Sequence, residues 1–238
     1  MSVVVGAASL TSAAIAADSS YFKLVGGRPV VTSGPPKVFR AGAHAGGVAG
    51  VSDFAGSNFI GALADAMASV RAVAALPETF IARAGAALPE AYVAWSAASI
   101  VPDGHPERFF EAVLAWHEKG KVELWRLHTT RDRNELRVNI EPHPARDQTS
   151  TVLVAGSRDN TLDRHDISRR HERTLEIYAR RQPVQVPLWT ALAADLETHV
   201  TSLVIGQLRR GVQPPAATGW PGGLSPISGP VQVVTLGP

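Results

Sequence analysis

Cysteine is missing from all 238 residues, and lysine is scarce, with 4 among the 23 basic side chains. Without a thiol the chain can build no disulfide scaffold, no Cys-ligated zinc or iron–sulfur site and no cysteine nucleophile. Four lysines leave little room for a G-x-x-x-x-G-K-[ST] phosphate loop, and none is present. G-x-S-x-G and H-E-x-x-H are absent too, which removes the commonest serine-hydrolase and zinc-protease signatures. No apolar run reaches the roughly 18 residues that a membrane span requires.

What is abundant is alanine: 36 residues, beside 17 Pro and 17 Ser. A core drawn from this composition is built from many small side chains. The cations are 19 Arg to 4 Lys, and the sequence pI is near 9.2. Arginine's planar fork suits phosphate and stacks on bases, so a polyanionic partner is permitted.

Charge is zoned. Between Val101 and Arg181 lie 15 of the 23 cations and 14 of the 21 anions. The flanks are nearly neutral and punctuated by Pro and Gly. Met1 to Ala17 lacks a basic n-region, and Gly6, Ser9, Thr11 and Ser12 interrupt its apolar run, so it reads as an uncharged arm of a soluble protein rather than a signal peptide. Tyr21 to Val31 reads as a small hairpin turning at Gly26-Gly27, and the glycine-rich stretch up to Gly56 as loop.

Phe54 to Leu76 places Phe59, Leu63, Met67 and Val70 three and four apart, which predicts an amphipathic helix. Short helices are expected at Thr79–Leu88 and Ala91–Ile100, and another from Pro106 to a stop at Gly120. The period then changes to two, which predicts strands through Val122–His128 and Leu136–Ile140, with a third at Thr151–Ala155. A helix capped by Asp166 or Ser168 ends near Arg181, and a last one runs from Pro187 to Arg210. The expected class is α+β: a mostly helical body over 54–211 with a small antiparallel β patch, an N-terminal arm over 1–53 and an extended Pro/Gly-rich arm over 212–238. That last arm ends in the β-prone run Val231–Leu236, expected to pair with a neighbouring subunit.

Candidate chemistry is sparse. His165, Asp166, His171 and Glu172 share one stretch, but Arg169, Arg170 and Arg173 beside them would repel a cation, which favours a solvated helix face over a metal site. Gly156-Ser157 reads as a turn. Asp163/Asp166 and Glu172/Glu176 read as ion-pair patterning. No cofactor, no metal and no catalytic residue is expected, and the protein is expected not to be an enzyme.

What remains is arginine. Arg158, Arg164, Arg169, Arg170, Arg173, Arg180 and Arg181 crowd one segment, and the hairpin adds Arg126, Arg131, Arg133 and Arg137. Trp125 and Tyr178 lie close to them and suit base stacking. These are the candidate RNA-binding residues, acting on phosphates without sequence preference.

In length, Pro/Ala/Ser enrichment, basic pI and lack of enzymatic motifs, the chain resembles the proline-alanine-serine-rich protein of polymycoviruses, fungal viruses with segmented double-stranded RNA. The resemblance implies a coat-like protein that covers viral RNA, self-associates as a dimer or more, avoids membranes, and resides in a virion or viral ribonucleoprotein in the host cytoplasm. The alternative is a phage or bacterial structural subunit, of a tail, baseplate or filament, that binds no nucleic acid.

Overall fold

The computed structural model describes residues 2–9, 11–25, 28–32, 34–97, 109–132, 135–143, 151–156, 164–181, 195–209 and 229–237. Strands β1 (Val3–Ala8) and β2 (Ala13–Ala17) form an antiparallel hairpin, its turn closed by the Ser12 N–H donating to Ser9 Oγ at 3.1 Å. Strand β12 (Thr151–Gly156) adds to β1 and β13 (Gln232–Leu236) adds to β2, giving a four-stranded sheet in the order β12-β1-β2-β13.

The second sheet has five strands. β5 (Val38–Ala41), β6 (His44–Gly50), β9 (Phe110–Glu118), β10 (Lys121–Asp132) and β11 (Glu135–His143) lie in the order β11-β10-β9-β6-β5. Two ribbons stand beside the sheets: β3 (Tyr21–Val25) with β4 (Arg28–Thr32), and β7 (Asp53–Phe54) with β8 (Ser57–Asn58). The helices are α1 (Phe59–Ser69), α2 (Leu76–Ala84), α3 (Ala87–Ala97), α4 (Arg164–Arg181) and α5 (Leu196–Arg209).

Side-chain alternation along the strands stacks these elements into four layers. Val3, Val5, Ala14 and Ala16 face outward onto Ile167 of α4 and Val200, Leu203 and Val204 of α5. Val4, Ile15 and Ala17 face inward onto Val38, Ala45, Val113, Ala115 and Leu124 of the other sheet. The far face of that sheet, with Val48, Phe110, Leu114 and Leu127, is covered by Phe59, Leu63 and Met67 of α1 and by Phe80, Leu88 and Tyr92 of α2 and α3. The architecture is therefore helix, sheet, sheet, helix.

This overturns the expected mostly helical body. Among the described residues 44% are strand and 37% helix. The N-terminal stretch expected as an arm supplies the two central strands of the four-stranded sheet. Every residue of β1 and β2 is buried, because helices cover one face and the second sheet the other. Strands buried on both sides lose the polar-apolar alternation that marks a strand in a sequence. The same reason turns the helix expected from Pro106 to Gly120 into β9, whose first seven residues are all buried. Gly120 stops no helix. With Lys119 it forms a two-residue hairpin turn, φ 51° and 76°, into β10.

The C-terminal run likewise differs from the arm expected to reach a neighbour: Gln232–Leu236 pairs with β2 of its own chain, Val234 opposite Ile15. Residues 212–228 lie outside the described residues. Among the described residues no helix is long and apolar enough to cross a membrane.

Alanine and glycine set the sheet-to-sheet spacing. A Cβ built on Gly47 would stand 2.6 Å from Val4 Cγ1 and 2.8 Å from Ile15 Cγ2 across the gap. Gly47→Ala should therefore lower stability by about 1–3 kcal/mol, the usual range for overpacking. Gly237→Ala, which meets nothing within 4 Å, should stay within about 0.5 kcal/mol of the parent. Thermal unfolding of the two variants checks the difference.

Candidate active site

The antiparallel register that sets Val4 opposite Ala17 also brings Asp18, just past the end of β2, beside the first residue of β1. Backbone and side chain both confirm the contact. The Asp18 N–H donates to the Val3 carbonyl at 3.2 Å, and the Val3 N–H donates to Asp18 Oδ1 at 2.8 Å. Oδ2 accepts from Ser20 Oγ at 2.7 Å and from Lys37 Nζ at 2.9 Å. Lys37 comes from the other sheet, one residue before β5. Its Nζ also donates to Ser2 Oγ at 2.9 Å.

Ser2, Asp18, Ser20 and Lys37 are all buried, Asp18 completely. Together they make two hydroxyls, an ammonium and a carboxylate in one dry chain of contacts. Burial pushes the Lys37 ammonium below its ordinary range, and the Asp18 carboxylate beside it pulls the other way.

Lys37 is held from several directions. Its carbonyl accepts from the Val48 N–H at 2.9 Å, and its own N–H donates to Gln232 Oε1 at 2.7 Å. Nζ lies 5.0 Å from the centroid of the Tyr21 ring, a cation–π distance. The Tyr21 hydroxyl donates to the Pro35 carbonyl at 2.6 Å. Burial, then the Asp18 and Asp53 carboxylates, push that phenol well above its usual range, against a hydrogen bond with Ser52.

Strand alternation places one more backbone donor. The Val51 N–H goes to Phe109 on the β9 side and the Val48 N–H to Lys37 on the β5 side. Alternation therefore turns the Gly50 N–H to the β5 side, one ladder step beyond Lys37, where β5 has not begun. Gly50 has φ 102°, a left-handed value that glycine accepts freely. The glycine-rich stretch expected as loop is thus β6.

On the other flank of β1, Gly156 stands opposite Val3. Its N–H donates to Glu111 Oε2 at 2.8 Å, and Glu111 Oε1 meets Arg126 Nε at 2.6 Å. A second, partly buried ion pair therefore anchors the strand neighbouring Ser2.

The arginines expected to bind RNA are divided among different tasks. Arg126 is engaged with Glu111, and Arg170 Nε with Asp166 Oδ2 at 2.6 Å. Arg169, Arg173 and Arg180 are exposed on α4, while Arg131 and Arg137 are exposed on the β10–β11 hairpin of the other sheet. Arg164 and Arg181 begin and end α4. Arg133 and Arg158 lie outside the described residues, as do Asp163 and Ser157.

The histidine stretch also differs from a solvated face. His171 is buried and its Nδ1 lies 2.9 Å from His199 Nε2 of α5. Among the described residues no three His, Asp or Glu side chains are grouped to hold a metal. Burial lowers both imidazoles to about 4, with His199 adding to the effect on His171.

Nothing in the sequence marked Ser2, Asp18 or Lys37. The one available signal was that Lys37 is one of only four lysines and lies in a Pro/Gly-rich stretch.

Two predictions follow from these buried groups. Lys37→Met leaves the Asp18 carboxylate without its cation and should cost about 3–5 kcal/mol; adding Asp18→Asn should recover much of that loss, read by denaturant unfolding. For the histidines, the folded pKa lies below the unfolded 6.5. The unfolded chain thus binds more protons, and stability is full above about pH 6.5 and falls toward pH 4. The thermal midpoint should drop through that window, less steeply in His199→Leu.

No protein-family model matches the chain, and a search of curated proteins finds no match.

Proposed function

We propose that the protein is an N-terminal-nucleophile hydrolase that cleaves amide bonds with the Ser2 hydroxyl. One observation carries this reading: Lys37 Nζ stands 2.9 Å from both Ser2 Oγ and Asp18 Oδ2, inside a buried cluster at the head of a central strand. Lysine donates in that contact, so it polarises the hydroxyl without removing its proton. The base must be another group. Cleavage of the Met1–Ser2 bond supplies it, because the freed Ser2 α-amine lies on the same residue as the nucleophile. Serine and threonine nucleophiles activated by lysine or by their own terminal amine are established solutions to acyl transfer.

The chemistry balances with these groups. The α-amine takes the Ser2 Oγ proton as Oγ attacks the substrate carbonyl carbon, giving a tetrahedral oxyanion. The Lys37 ammonium, 2.9 Å from Ser2 Oγ, supplies positive charge beside that oxyanion. Collapse breaks the C–N bond, and the α-ammonium returns its proton to the departing amine. The acyl group is then an ester on Ser2. Water attacks that ester, its proton passing to the α-amine; the ester bond then breaks as the α-ammonium returns that proton to Ser2 Oγ, releasing a carboxylic acid and restoring Ser2. Lys37 keeps positive charge beside the oxygen throughout, and Asp18 keeps that charge stable in a dry site.

The coat-like RNA-binding reading, and the structural-subunit alternative, have composition and the exposed arginines of α4 and the hairpin behind them. The buried cluster has no part in either, so the geometry favours an enzyme.

The test needs no known substrate. Intact mass and N-terminal sequencing should find a chain that starts at Ser2. A serine-reactive fluorophosphonate or β-lactone should add once, at Ser2, and Ser2→Ala should abolish both that adduct and release of fluorophore from an acyl-aminocoumarin peptide library. A folded variant that keeps a tag ahead of Ser2 should be inactive. An adduct that persists in Ser2→Ala would sink the assignment.

A further inference from the structure

We propose that Gln232 is a positioning residue for Lys37, which makes the C-terminal strand part of the active site. The inference rests on the hydrolase reading and deepens it.

Lys37 sits at an awkward place in its sheet. β5 is the edge strand, and its ladder with β6 begins at Val38 opposite Gly47. The Lys37 carbonyl still reaches the Val48 N–H, but the Lys37 N–H donates instead to Gln232 Oε1 at 2.7 Å. Gln232 opens β13 in the facing sheet, paired with Ala17, the residue immediately before Asp18. One backbone unit is thus clamped between two sheets, by β6 on one side and by the C-terminal strand on the other.

The clamp matters because of what Lys37 must do. Its side chain has four torsions, and its ammonium has to stand within hydrogen-bond reach of Ser2 Oγ and Asp18 Oδ2 at once. A flexible stem gives that precision only from a fixed root. Asp18 is fixed by Val3 and Ser20, so what remains is the root of Lys37, held at its carbonyl by Val48 and at its N–H by Gln232. The approach to Gln232 is fitted as well. Gly229 lies so close to Ser19 that a Cβ there would collide with the Ser19 hydroxyl, which seats the 229–232 stretch against the residues flanking Asp18. The C-terminal strand therefore couples its own docking to the catalytic geometry, and displacing it releases Lys37 while leaving Ser2 in place.

The experiment measures the rate of Ser2 acylation by a fluorophosphonate, per folded molecule, by intact mass. Gln232→Met keeps the side-chain length and removes the acceptor; acylation should slow by about tenfold to a hundredfold, the scale of a misplacement of about 1 Å. Gln232→Glu keeps an acceptor oxygen at the same reach and should restore most of the rate. Both should melt close to the parent. Should Gln232→Met fail to fold, Gln232→Asn, which retracts the acceptor by one carbon, is read the same way. Equal acylation rates in parent, Met and Glu variants overturn the positioning role and leave the hydrolase reading intact. A parent protein that is never acylated at Ser2 removes both.

Discussion

The contact on which this fold turns is the buried ion pair between Asp18 and Lys37. Moving two charges out of water costs several kcal/mol each unless every lone pair and N–H finds a partner. Here the partners come from four different places: the Val3 N–H at the start of β1, the Ser20 hydroxyl past β2, the Ser2 hydroxyl, and the Tyr21 ring. Satisfying one pair thereby fixes the relation of both sheets at one end. The Glu111–Arg126 pair does the same on the other flank of β1, taking the Gly156 N–H as its further partner.

Such a pair can form only if the sheets approach closely, and the small residues arrange that. The layer between them holds Ala8, Ala13, Ala17, Ala45, Ala49, Ala115 and Ala155, with Gly47 tight against Val4 and Ile15. Bulk is displaced to the outer layers, where Phe59, Phe80 and Phe110 pack between sheet and helix. A larger inner layer would hold the sheets apart and put Lys37 out of reach of Ser2. Alanine richness suggests close-packed helices, and here it also builds the sheet interface, with seven alanines in that layer.

Much of the local structure was legible. The period of two from Val122 to Ile140 is the β10–β11 pair, with Leu127 opposite Ile140, because β11 is an edge strand whose outer residues meet water. The three-and-four spacing of Phe59, Leu63 and Met67 is α1, one face of which is buried. The segment ending near Arg181 is α4, whose polar face stays wet. Where an element has one wet side, its period survives in the sequence. β1, β2 and β9 have none, and these are the elements whose sequence predicts an arm and a helix instead.

The sequence by itself determined an alanine-rich, cysteine-free chain with one arginine-laced helix, because composition and one-sided patterns depend only on neighbours along the chain. It could not determine the site. Ser2, Asp18 and Lys37 are separated by 16 and 19 positions and form no motif. What joins them is the β1–β2 register and the packing of one sheet on another, and those are decided by burial across the whole molecule. Tertiary structure alone turned an ordinary serine, aspartate and lysine into one buried cluster.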